Sequence, residues 1–172
     1  EAGETVRAGC FSVEFIHVNH SIADAFMFAI KTPIGTIVHS GDFKIDYTPI
    51  SGEIMDLQRI AQIGREGVLL FVCESTNIEV PGFSKSERHV GESMADMFKD
   101  AQGRIFVATF SSNTSRLQQI FTAAERHGRK VALVGRSMLN VFNAANNLGY
   151  IQMKPDTLIE ASQVDKYPPE QV

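Results

Sequence analysis

Between Phe11 and His17 every second position points the same way, with Phe11, Val13, Phe15 and His17 in register. That is the period of a strand half buried against a core, and it runs into the polar pair His20-Ser21. Two more β-rich apolar runs, residues 25–30 and 36–39, flank Lys31-Thr32-Pro33-Ile34-Gly35. Proline presets one turn dihedral and glycine admits positive φ, so the pattern predicts a β-hairpin. Asp42 follows behind Gly41, where a strand ends and a loop begins. Leu57, Ile60, Ala61 and Gly64 fit a short helix with a glycine stop. Residues 68–73 form a continuous apolar run, expected of a strand buried on both faces, with Glu74 at its C-terminal end.

Beyond residue 80 the rhythm becomes strand, helix, strand, helix. Ser84 or Ser86 can cap a helix with apolar face Val90, Met94, Met97, Phe98 and Ala101, ending near Gly103. Residues 104–110 read as the next strand. Leu117, Ile120, Phe121 and Ala124 predict a helix closing at Gly128, before a strand over 130–135. Met138, Val141, Phe142, Ala145 and Leu148 line a third helix stopping at Gly149. Repeated βα units imply a parallel sheet covered by helices, whereas the first part is richer in antiparallel hairpin signals. Two architectures therefore meet near residues 80–90, at the Pro81-Gly82 break. The polar, proline-containing end, residues 166–172, is expected as a surface segment or a truncation point.

Composition narrows the function without naming it. With 44% hydrophobic and 21% charged residues, the 172-residue chain reads as an ordinary globular protein of one domain or two small ones. A net charge of −4 argues against holding nucleic acid by bulk electrostatics, so any such site is local. Cys10 and Cys73 lack metal-type spacing and are expected as a reduced pair in a reducing compartment. No apolar run reaches membrane-helix length, and residues 1–6 do not resemble a signal peptide. The chain opens with Glu1, which fits either a trimmed chain or a sequence starting partway through a longer protein.

Three sets of residues can carry chemistry. His20 and Asp42 stand in loops at strand ends, and their imidazole and carboxylate donors suit Zn²⁺ or Mn²⁺. A capping aspartate and a hydrogen-bonded histidine account for the same residues, and residue type alone favours that alternative. Glu74, followed by Ser75-Thr76-Asn77, is either a site acid or a solvated strand end. Ser111, Ser112, Asn113, Thr114 and Arg116, with Arg136 and Ser137, occupy two strand-to-helix junctions, where helix amides cap and also attract anions. His17 and His39 are expected as packed or edge residues, and His89 and His127 on helix surfaces. The basic cluster 126–130 reads as a solvated helix end.

Taken in order, Val18-Asn19-His20-Ser21-Ile22, His39-Ser40-Gly41-Asp42-Phe43-Lys44 and Glu74-Ser75-Thr76-Asn77 resemble motifs of the ribonuclease J family. The resemblance continues through Pro81-Gly82-Phe83-Ser84, Ser86-Glu87-Arg88, Val107-Ala108-Thr109-Phe110-Ser111-Ser112-Asn113, Arg116-Leu117-Gln118-Gln119 and Gly135-Arg136-Ser137-Met138. It implies an α/β chain: part of a metallo-β-lactamase αββα sandwich over residues 1–88, then part of a β-CASP domain with a helix-flanked parallel sheet over residues 89–172. It implies two divalent metal ions, zinc with manganese or magnesium as alternatives, bound by His20 and bridged by Asp42. Glu74 matches an acidic motif that supports a histidine of the same site, a position usually held by Asp in this family. Ser111, Asn113, Arg136 and Ser137 would lie on the phosphate or RNA side.

The implied activity is hydrolysis of RNA phosphodiester bonds, 5′-to-3′ exonucleolytic and endonucleolytic, in RNA processing and mRNA decay in the cytoplasm. The implied substrate is single-stranded RNA with a 5′-monophosphate, and the implied full-length protein a homo-oligomer with no membrane partner. The family's His-x-His-x-Asp-His motif does not occur among the five histidines and is expected before residue 1; later β-CASP histidine motifs are expected after Val172. An internal segment of this kind is expected to bind metal weakly and to be inactive alone. Two alternatives stand beside this reading: another metallo-β-lactamase-fold hydrolase (a β-lactamase, thioester hydrolase or DNA-directed nuclease), or a non-catalytic RNA-binding or assembly module. The βα repeats after residue 90 disfavour the first two of these hydrolases.

Overall fold

The structure, a computed structural model, describes residues 1–50 and 52–172. Contacts divide the chain into two compact units, one of residues 1–20 and 24–86, the other of residues 21–23 and 87–172.

The first unit is built on a five-stranded sheet in the order β1 (Thr5–Ala8), β2 (Phe11–His17), β3 (Phe26–Thr32), β4 (Gly35–His39), β5 (Leu70–Val72). The first three pairings are antiparallel, and the last is parallel, with helix α1 (Leu57–Glu66) in the intervening chain. The expected hairpin forms between β3 and β4, closed by Thr32 opposite Gly35. Gly35 takes φ +150°, and a Cβ there would lie 2.9 Å from the Leu69 Cβ, so this position needs glycine.

Strand period and buried face come apart in β2. Its alternation is as expected, but Ile16, on the opposite face from the Phe11–His17 register, enters the core with Val18, Met27, Ala29, Val38, Met55 and Ile63. The Phe15 face instead carries an aromatic cluster, with edge-on contacts to Phe28 at 5.2 Å and Phe26 at 5.6 Å between ring centroids. The reason is α1, which packs Ile63, Leu57 and Ile60 with the Ile16 side. Arg59 of α1 ties this packing down through a two-pronged ion pair with Glu14 of β2 (2.6 and 2.8 Å) and a bond to Glu66. Asp56 caps α1 through the Arg59 amide, and the glycine that ends it is Gly67 at φ +102°, not Gly64, which stays helical.

The run 68–73 forms a strand, but not a doubly buried one. β5 is the last strand of the sheet, with Phe71 55% exposed and Leu69, Leu70 and Val72 also exposed. Among the described residues nothing pairs with its outer side. Apolar continuity records how deeply a strand is meant to be covered, and the covering must come from another layer.

The second unit is helical with a small parallel pairing: α2 (Glu87–Asp100), α3 (Thr114–Arg126), β6 (Val131–Ala132), α4 (Arg136–Asn147) and β7 (Leu158–Ile159), followed by 3₁₀ turns Ala161–Lys166 and Pro169–Gln171. β6 and β7 pair in parallel, Val131 with Leu158 and Ala132 with Ile159. Met94 and Phe98 of α2, Leu117, Ile120, Phe121 and Ala124 of α3, and Phe142 and Ala145 of α4 form its core, as their 3.6-residue spacing predicts. Residues 104–110 do not form the expected strand. They run without strand pairing between α2 and α3, the Ile105 amide donating to the Val172 carbonyl, with Phe106 91% and Phe110 84% exposed.

The basic cluster 126–130 also departs from expectation. Arg129 is buried and donates to the carbonyls of Ala101, Gly103 and Val172, so its guanidinium satisfies carbonyls that follow α2 and close the chain. Lys130 pairs with Asp156. His127 and Gly128, at φ +65°, end α3 as expected, and Cys10 and Cys73 are free and exposed. No helix among the described residues is long and apolar enough to cross a membrane.

Candidate active site

In the first unit three loops are stitched together by hydrogen bonds between main-chain groups and the Asn19 and Glu74 side chains, with one main-chain pair. Asn19, after β2, accepts the Met55 amide on Oδ1 and donates from Nδ2 to the Glu53 carbonyl, fixing the chain one residue before His20. Its own carbonyl accepts the Lys44 amide at 2.7 Å, which ties the His20 loop to the Asp42 loop. The Phe43 amide donates to Glu74 Oε1 at 3.2 Å, which ties the Asp42 loop to the end of β5. Glu74 Oε2 accepts the Thr76 amide at 3.1 Å. His20 lies near enough for its charge to act on Glu74.

The electrostatics follow from these bonds. Hydrogen bonding by the Thr76 side chain, with the Phe43 and Thr76 amides and the His20 charge, holds the Glu74 carboxyl below the usual carboxylate range against a smaller opposing effect of burial. Glu74 is thus an ionised acceptor whose oxygens are engaged in ordering its neighbours. His20 and Asp42 are both exposed, and among the described residues the Asp42 carboxylate has no hydrogen-bond or ion-pair partner. An exposed, unengaged carboxylate on a loop pinned from both sides is available to a ligand.

Imidazole and carboxylate are suitable metal donors, but a structural or catalytic ion asks for at least three protein ligands. No group of three or more His, Cys, Asp or Glu among the described residues could hold a metal ion. His20 and Asp42 therefore fit part of a ligand set, and the chain's own residues do not complete one. Of the other histidines, His17 Nε2 bonds the Glu53 carbonyl, His39 Nδ1 accepts the Gly41 amide, and His89 and His127 lie exposed on α2 and at the end of α3.

The second unit holds the other four candidates at the starts of α3 and α4. The hydroxyls of Ser111 and Ser137 hydrogen-bond at 2.8 Å, so the two helix entrances are neighbours. Asn113 is buried and caps α3 through the Arg116 amide, which commits its Oδ1 to the helix. Arg116 forms a forked pair with Glu87 of α2 at 2.8–3.2 Å and is neutralised there. Arg136, the first residue of α4, is exposed and has no acidic partner among the described residues, and α4 starts at Gly135 without a side-chain cap. Unbonded amides, a serine pair and an unengaged guanidinium together suit an anion.

Sequence reasoning missed Ser40 and Asn19, which organise the first site without ionising. Their signal was only their place, one residue before Gly41-Asp42 and one before His20.

The chain has the architecture of a mixed α/β protein, a sheet with flanking helices. It aligns with a crystal structure of a protein of unknown function from Enterococcus faecalis at a TM-score of 0.64 and 16% identity, covering 98% of this chain and 42% of that one, a likeness of fold alone. Residues 102–172 match the family described as Ribonuclease J, beta-CASP domain. Proteins named Ribonuclease J are similar over nearly the whole chain. That of Synechocystis sp. is 50% identical over 169 residues, 98% of this chain and 26% of the relative. Those of Thermus thermophilus and Mycobacterium tuberculosis are 45% and 41% identical, over 94% and 99% of this chain and 28% and 30% of the relatives. The chain matches the ribonuclease J family over nearly its whole length, and it spans about a quarter of the length of the curated relatives it matches.

Proposed function

We propose that this chain is part of a metal-dependent ribonuclease that hydrolyses RNA phosphodiester bonds, by 5′-to-3′ exonucleolytic and endonucleolytic cleavage, in cytoplasmic RNA processing and mRNA decay. The observation that carries the reading is the pair of bonds, Lys44 amide to Asn19 carbonyl and Phe43 amide to Glu74, that gathers the loops of His20, Asp42 and Glu74. Their order along the chain is that of the ribonuclease J motifs they resemble.

In this reading residues 1–88 are part of a metallo-β-lactamase core and residues 89–172 part of a β-CASP domain. His20 and Asp42 contribute to the ligands of two divalent ions, zinc or alternatively manganese or magnesium, whose remaining ligands come from elsewhere in the longer protein. Bound metal would supply an activated water and charge neutralisation at the scissile phosphate. Glu74 keeps the Asp42 loop and the His20 side chain in order as an ionised acceptor. Ser111, Asn113, Arg136 and Ser137 belong to the RNA side, where Arg136 and the α4 amides would meet the 5′-monophosphate of a single strand. The full-length protein would be a homo-oligomer without a membrane partner, and the 172 residues alone would bind metal weakly and lack nuclease activity.

The experiment is cleavage of 5′-monophosphorylated RNA by a ribonuclease J carrying this segment. His20→Ala and Asp42→Ala each abolish cleavage if the reading holds. Retained cleavage by either rejects it.

A further inference from the structure

Asp42 is bracketed by two attachments to one residue. Before it, the Ser40 hydroxyl accepts the Glu74 amide at 2.9 Å and donates to the Gly41 carbonyl at 2.6 Å; after it, the Phe43 amide donates to the Glu74 carboxylate. Ser40 is 1% exposed, among the most buried side chains of the chain, and its own amide continues the β4–β5 pairing by donating to the Val72 carbonyl at 2.9 Å. A hydroxyl has one donor and two acceptor positions. Here the donor and one acceptor are spent inside the protein on the two ends of a single clamp.

The backbone around it leaves little slack. Gly41 sits at φ +58°, and a Cβ there would come within 2.6 Å of the Phe26 carbonyl oxygen, so the loop lies directly on β3. The Gly41 amide is held by His39 Nδ1, and the Lys44 amide by Asn19. With 40, 41, 43 and 44 bonded, the Asp42 main chain is held on both sides, which sets the direction of its Cα–Cβ bond. The Ser40 hydroxyl is the link that fixes the Glu74 main chain, and a fixed main chain is what lets the Glu74 carboxylate reach Phe43.

We propose that Ser40 is a positioning residue for Asp42: its buried hydroxyl locks Glu74 to the Asp42 loop and so sets where the Asp42 carboxylate points. This deepens the hydrolytic reading of Asp42 and rests on it for its functional meaning. Buried as it is, Ser40 acts through Glu74 and Gly41.

Amide hydrogen exchange in the full chain tests the clamp directly, with Ser40→Ala and, as a variant of near-native volume with a weak acceptor, Ser40→Cys. Exchange at Glu74 and Phe43 is expected to quicken by about tenfold or more while the β2 and β3 amides keep their rates. Unchanged exchange at Phe43, or an equal rise throughout β2 and β3, overturns the proposal, the second because Ser40 would then be a general packing residue; if Ser40→Ala does not fold, Ser40→Cys decides. In a ribonuclease J carrying this segment, Ser40→Cys is expected to lower kcat about tenfold with KM for RNA unchanged, as loss of alignment without loss of binding requires. An unchanged kcat overturns it. Asp42→Ala in the same enzyme separates the two ideas: retained cleavage there sinks the hydrolytic reading, while the exchange result still judges the clamp.

Discussion

The hydroxyls of Ser111 and Ser137 lie 2.8 Å apart although 26 residues separate them. One precedes the start of α3 and the other lies in the first turn of α4, so this bond joins two helix entrances beside the unengaged Arg136. If this is where an RNA phosphate sits, Ser137→Ala in a ribonuclease J carrying the segment weakens 5′-monophosphorylated RNA binding by about tenfold, the worth of one hydrogen bond to a charged group. The double variant with Ser111→Ala costs less than the sum of the singles, because each already breaks the shared bond. Fluorescence anisotropy measures both; full additivity would argue that the serines act independently.

The Glu14–Arg59 pair holds α1 on the sheet and gives the first unit a pH-dependent component. Hydrogen bonding from Arg59, outweighing partial burial, holds the Glu14 carboxyl below its ordinary value of 4.5. A depressed folded-state value means the stabilisation is present above the unfolded value and is lost as pH falls from about 4.5 through the lower folded one. Glu14→Gln is expected to cost about 1.5–3 kcal/mol at pH 7 and to flatten the acid limb of the unfolding curve. Urea titrations between pH 2.5 and pH 7 (about that range brackets both values) give the slope; an unchanged acid limb would show the pair to be neutral to stability.

Phe121 is fully buried and stacks at 5.6 Å between ring centroids on Phe142. Phe121→Ala is expected to destabilise the second unit by about 3–5 kcal/mol, through lost transfer energy and the cavity left behind. Hydrogen exchange should show the loss in α2, α3 and α4. A uniform loss that includes β2 and β3 would mean the two units unfold as one.

β5 presents an apolar edge, with Leu70 and Phe71 exposed and a free outer side among the described residues. Such edges template pairing between copies. Concentration-dependent association of the 172-residue chain is expected by light scattering, and Leu70→Lys, on that edge, is expected to suppress it. Association that survives the lysine would locate the sticky surface elsewhere, with Phe106 and Phe110 the next to examine.

Local pattern was enough to read the hairpin 26–39 and helices α1 to α4, because turn chemistry and helical period are written in neighbouring residues, whereas His20, Asp42 and Glu74 stood out through the motifs that resemble a known family. It was not enough to say which face of β2 meets α1, since alternation serves both faces equally and only the partner element chooses Ile16 over Phe15. Nor did apolar character decide burial at residues 68–73 or pairing at 104–110, because a strand needs hydrogen-bonding neighbours and a covering layer that its own residues do not supply. The ionisable candidates could be named from their chemistry. That a buried serine accepts the Glu74 amide, 34 residues away, is a fact of tertiary structure, since a hydroxyl declares its role only once the chain has brought it a partner.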